Sequence, residues 1–101
     1  MKAFPQSIRE LSCLPVSDAI NAVSLAANTA DSIAIPSGAK FVIFSATADF
    51  YLKADGTATV PGNTTDGTAS ELNPTMRSIN DVSALSVISA SACIVTAAFY
   101  K

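Results

Sequence analysis

From Asn21 onward, apolar side chains recur at alternate positions in short runs, each ending at Gly, Pro, Asn or Asp. Alternation is the signature of the pleated strand, whose successive side chains point to opposite faces. No stretch after residue 20 carries the 3.6-residue period of an amphipathic helix. The runs are "AVSLAA", "DSIAIPSG", "KFVIFSATADFYLKADG", "ASEL", "TMRSI", "ALSVISA" and "ACIVTAAFY". They predict about seven to nine short strands separated by turns, hence an all-β chain folded as a small β-sandwich or barrel-like domain. "FVIFSATADFYLK" and "LSVISASACIVTAAFYK" echo each other as strand, Ser/Ala break and strand, which suggests paired hairpins. Phe41, Ile43, Phe50, Leu52, Val87, Ile94 and Phe99 are then expected to share one core between the sheets.

The first twenty residues differ. "FPQSIRELSCLPVSD" mixes two prolines with isolated apolar residues; Ser7–Leu14 could form a helical turn or two, which Pro15 would end. Residues 1–20 therefore read as an extended N-terminal arm and 21–101 as the β-domain, one domain in all at this length. Phe4, Ile8, Leu11 and Leu14 need burial that an isolated domain does not obviously offer, which makes them candidate partner-binding residues. Extended, the arm would reach at most about 65 Å. Pro5, Arg9 and Glu10 interrupt the apolar core that a signal peptide needs, and no apolar run of membrane-spanning length occurs. The sequence reads as unprocessed, with no membrane partner.

Composition narrows the function classes. Charged residues make up 14% of the chain, against about 25% in ordinary soluble domains. Small residues must cover much of the outside, and such a skin is cheap to desolvate against a partner. The six basic residues are scattered and the net charge is −2, so no phosphate-binding stripe exists and no nucleic-acid partner is expected.

With no histidine, neither an ordinary zinc site nor a Ser-His or Cys-His nucleophile can be built. Cys13 and Cys93 stand far apart in sequence and are expected to be free thiols. Ser37-Gly-Ala-Lys40 matches S-x-x-K by letter, but Pro36 and Gly38 place it in a turn rather than on the helix that serine acylases require. Asp49, Asp55, Asp66 and Glu71 could converge on calcium, yet the EF-hand spacing is absent and "ADG" and "TDG" read as Asx turns. Asn63 opens an N-x-T sequon with nothing to suggest its use. We expect no catalytic, cofactor-binding or metal residues, no cofactor and no enzymatic activity.

"VPGNTTDGTASELNP", residues 60–74, is long and polar. It reads as a surface connection that presents Asp66 and Glu71 to a partner, since loop length itself costs little. "SATADFYLK", this Gly/Thr/Val-Pro segment, "TDGTASELNP", a basic residue and the closing "ACIVTAAFY" together resemble small proteins encoded beside the capsid genes of tailed bacteriophages. The resemblance covers about residues 22–100 and is strongest over Ala48–Pro74. It implies a virion structural protein, foremost a capsid decoration or cement protein, assembled in the host bacterial cytoplasm. Such a protein would bind the major capsid protein or other virion proteins, commonly as a homotrimer, and stabilise the lattice by bridging subunits. The alternatives are a head-to-tail junction or fibre-attachment protein and a carbohydrate-binding β-module. The last is disfavoured because there is no Trp and only two Tyr to stack on sugar.

Overall fold

The computed structural model describes residues 1–3 and 14–101. Eight strands follow one another: β1 (Ile20–Leu25), β2 (Asp31–Ile33), β3 (Phe41–Ala46), β4 (Tyr51–Ala54), β5 (Glu71–Leu72), β6 (Met76–Ser78), β7 (Leu85–Ile88) and β8 (Cys93–Tyr100). No helix forms among the described residues, and the all-β reading holds. The first sheet has the order β1-β8-β3-β6 and the second β2-β7-β4-β5.

β1 pairs with β8, β2 with β7, β3 with β6 and β4 with β5, all antiparallel. These are the pairs of one long hairpin with its tip between β4 and β5. Wrapping that hairpin into two layers adds the β3–β8 and β4–β7 ladders. The result is the jelly-roll order, an eight-stranded double sheet of two Greek keys.

Alternation decides which side chains fill the space between the layers. Cys93, Val95, Ala97 and Phe99 of β8 point inward and are buried, as are Val42 and Phe44 of β3, and Ile33, Leu52, Leu85 and Val87 close the core from the second sheet. The Phe44 and Phe50 rings meet at a centroid distance of 5.9 Å, tilted by 53°, an edge-to-face-like contact that suits their quadrupoles. The Cys93 thiol is free within this core. Phe50, Leu52, Val87 and Phe99 are buried as expected, but Phe41, Ile43 and Ile94 are not core residues: Phe41 and Ile43 are half-buried and Ile94 is 47% exposed. "FVIF" is apolar at four consecutive positions, so its own pattern cannot say which parity faces inward. The register with β8 decides it, because Phe41 and Ile43 lie opposite Tyr100 and Ala98 on the outer side.

The two echoing segments are not hairpins either. β3 and β4 belong to different sheets, as do β7 and β8, so each Ser/Ala break is a corner where the chain crosses between layers. The corners lie side by side: Thr47 N–H donates to Ile94 C=O (3.1 Å), Ile94 N–H donates to Thr47 Oγ1 (3.0 Å), and the buried Ser89 hydroxyl donates to Asp49 C=O (2.7 Å). The echo therefore marks two stacked arches.

Other turns follow local chemistry. Ala39 N–H donates to Pro36 C=O and Gly38 sits at φ 85° between them, the left-handed position of a type II turn, which favours glycine. Asp66 accepts the Thr68 N–H in the Asx turn read from "TDG". "ADG" differs: Asp55 accepts the N–H groups of Ser83 and Ala84 at 2.8 and 3.1 Å, so it caps a distant connection rather than its own turn.

The described pieces of the expected arm rest on the sandwich. Met1 packs against the core cluster and its ammonium lies 3.0 Å from Asp18. Ser17 donates to Phe99 C=O (2.8 Å) and Tyr100 OH to Pro15 C=O (2.8 Å). Phe4, Ile8, Leu11, Cys13 and the turn expected from Ser7 lie outside the described residues.

Candidate partner interface

The outer faces of the two sheets are finished differently. On the second sheet, Ser86 and Ile88 of β7 alternate with the inward Leu85 and Val87, yet all four are buried. Their cover is the connection between β4 and β5. Ala58, itself 1% exposed, donates its N–H to the Ser86 hydroxyl at 2.9 Å, Thr59 N–H donates to the buried Ser70 hydroxyl at 3.1 Å, and the Lys53 ammonium donates to Thr68 C=O at 2.9 Å. The chain entering the long polar segment thus covers Ser86, and the segment itself is tied back to it at Thr68 and Ser70.

Among the described residues the first sheet has no such flap. Across its outer face the registers align Ile20 of β1, Ala98 of β8, Ile43 of β3 and Met76 of β6 in one row. Beside it lies Ala22–Thr96–Ser45, followed by Ser24 opposite Ile94. Ile20, Met76 and Ile94 are 52%, 43% and 47% exposed. β1, β3 and β8 contain no charged residue. At one end the row of Phe41 and Tyr100 is partly closed over, Tyr100 being buried with its hydroxyl on Pro15. What remains is a flat, uncharged, largely apolar surface of the kind that marks protein contact.

The residues expected to bind a partner are distributed otherwise. Leu14 is 38% exposed. Asp66 is exposed in the covering loop, with its carboxylate held by the Thr68 hydroxyl at 2.6 Å and by the Thr68 N–H at 3.2 Å. The hydroxyl bond, and then the amide bond, hold its pKa below the usual aspartate value. Glu71, on the edge strand β5, is ion-paired with Arg77 on β6, a pair that bridges the two sheets and holds the guanidinium still more firmly protonated. Neither carboxylate is a bare recognition charge. Sequence reading missed the Ile20–Ala98–Ile43–Met76 row. The available signal was the apolar run in "FVIF" and in "CIVTAAF", broken only at Thr96, since strands apolar on both faces are strands covered on both faces.

An open concavity of about 300 Å³ lies at the β3–β4 corner. There Asn73 donates to Asp49 at 2.9 Å and accepts the Phe50 N–H at 3.0 Å, so these polar groups hold the corner together. Among the described residues no three His, Cys, Asp or Glu side chains are grouped to hold a metal. Ser37 and Lys40 stand in the turn before β3, not on one helical face. No family model, curated protein or solved structure matches this chain.

Proposed function

We propose that this protein is a virion structural protein of a tailed bacteriophage, a capsid decoration protein that docks on the major capsid protein and stabilises the lattice. The observation that carries the reading is the uncharged outer face of the first sheet, which none of the described residues covers, while on the opposite sheet Ala58 of the chain's own β4–β5 connection closes over Ser86. Jelly rolls serve as capsid, lectin and cupin domains alike, so the fold does not choose among functions. The face favours protein over sugar: Phe41 is half-buried, and Tyr100 is buried with its hydroxyl committed, which leaves no exposed aromatic platform on this sheet. In this reading the protein resides in the virion, acts as no enzyme and needs no cofactor. Many weak contacts on a repeating lattice reinforce one another through effective concentration, and binding to the assembled state alone stabilises that state.

The test is co-sedimentation with expanded capsids. Ile94→Lys places a charge at the corner end of the face, on a side chain that is 47% exposed and lies outside the core. Wild-type protein should sediment with capsids and raise their thermal release temperature, while the variant stays folded and remains in the supernatant. Equal binding by both proteins would remove this face from the mechanism. Absence of binding by wild type would remove the capsid reading.

A further inference from the structure

A jelly roll leaves four strands at sheet edges, and unpaired edges invite pairing with other chains. Three edges here are blunted by shortness and charge: β2 has three residues and begins with Asp31, β5 has two and begins with Glu71, and β6 has three centred on Arg77. β1 is the exception. It runs six residues, "INAVSL", with no charge, proline or glycine, and its register along β8 is unbroken.

The direction of its free groups follows from the ladder. Phe99 N–H donates to Ala19 C=O at 2.9 Å, so Ala19, Asn21, Val23 and Leu25 address β8. Ile20, Ala22 and Ser24 turn their N–H and C=O groups to the other side, where no described strand pairs with β1. The Asn21 carboxamide donates to Ala34 C=O at 2.7 Å, tying this edge to the chain beyond β2. A shallow cleft of about 290 Å³ runs alongside, lined by Ile20, Ala22, Val23, Ser32 and Ala34.

We infer that the open edge of β1 pairs antiparallel with β1 of a second copy about a twofold axis, joining two first sheets into one. A second copy is the occupant because the strand is complementary to itself. Centring the pair on Ala22 sets Ala22 opposite Ala22, and Ile20 opposite Ser24 on either side. The outward groups of these three residues then exchange about six main-chain hydrogen bonds. Methyl meets methyl at the axis and no like charges face each other, whereas Asp31, Glu71 or Arg77 would oppose close pairing at the other edges. The uncharged outer face becomes continuous across the dimer.

The area sets the strength. Six residues span about 20 Å, and two layers with their side chains are roughly 20 Å deep. About 400 Å² per copy is half of a standard interface, so the dimer is weak and reversible. The inference does not depend on the virion reading, because its test uses the isolated protein.

Sedimentation velocity over a wide concentration range should show a reversible monomer–dimer equilibrium. Amide exchange supplies the specific readout: the N–H groups of Ile20, Ala22 and Ser24 should gain protection as concentration rises, while those of Asn21 and Val23 are protected throughout. Ala22→Pro removes an outward donor at a position where edge strands accept proline, and Ala22→Lys sets like charges face to face at the axis. Each should lower the association constant by about tenfold or more, roughly 1.4 kcal/mol, with the β circular dichroism signal retained. A wild-type protein that stays monomeric at every concentration, forms a trimer, or dimerises unaffected by both substitutions overturns the inference.

Discussion

Single polar side chains in this protein act mostly as fasteners for backbone that has no ladder partner. Asn73 and Asp55 occupy left-handed backbone at φ 47° and 53°, a region their short polar side chains tolerate, and each spends its side chain on a segment far away in sequence. Asp66 fastens its own turn, and this has a measurable sign. The Thr68 hydroxyl and amide favour the ionised carboxylate, so the folded pKa lies below the ordinary value of about 3.9. The turn's contribution is therefore present above that value and is lost as pH falls through the lowered one. Carbon-detected titration should place Asp66 below an unstructured aspartate. Thr68→Val should move it back up, and an unchanged midpoint would refute the assignment.

At the scale of elements, the β4–β5 connection behaves as a cover anchored by the sheet beneath it. Its key fastening is the Ser86 hydroxyl under the buried Ala58 N–H. Ser86→Ala leaves that donor unsatisfied and should cost about 1–3 kcal/mol, read as a lower thermal midpoint together with faster amide exchange over residues 57–59. A drop in stability without the local exchange change would indicate general core damage and place the anchor elsewhere. The Glu71–Arg77 pair is exposed on both sides, at 46% and 43%. It closes the rim between β5 and β6 and contributes little beyond that, as surface pairs do.

For the whole molecule, the jelly-roll order makes folding a long-range problem. The first strand pairs with the last, Ile20 with Ala98, and among the described residues β2 pairs with β7 alone. Loop closure must precede the contacts that reward it, so refolding should fall in the millisecond-to-second range of non-local β-proteins. Stopped-flow refolding in microseconds would contradict the topology. Removing β8 strips both β1 and β3 of their central partner and takes Val95 and Phe99, both 0% exposed, out of the core. A chain ending before Cys93 should therefore show no cooperative melt.

The amino-acid sequence by itself determined that the region after the arm is β, its apolar runs overlapping the strands that form. Those properties follow from local sterics: β-branched and aromatic side chains at alternate positions favour the pleat, and Gly, Pro, Asn and Asp set the turns. It also placed Phe50, Leu52, Val87 and Phe99 in the core, and for Phe50 and Leu52 the polar Asp49 and Lys53 around them supply the alternation. It could not settle the parity of "FVIF", nor show that Ile94 faces out while Val95 faces in, because a run apolar on both sides carries no alternation to read. Nor could it reveal that Asp55 reaches Ser83, that the chain entering the polar loop covers Ser86, or that Glu71 meets Arg77. Each of those depends on which strands become neighbours. Strand pairing joins residues dozens of positions apart, and the geometry of two packed sheets, not any local preference, decided that Ser86 is covered while no described residue covers the outer face of the first sheet.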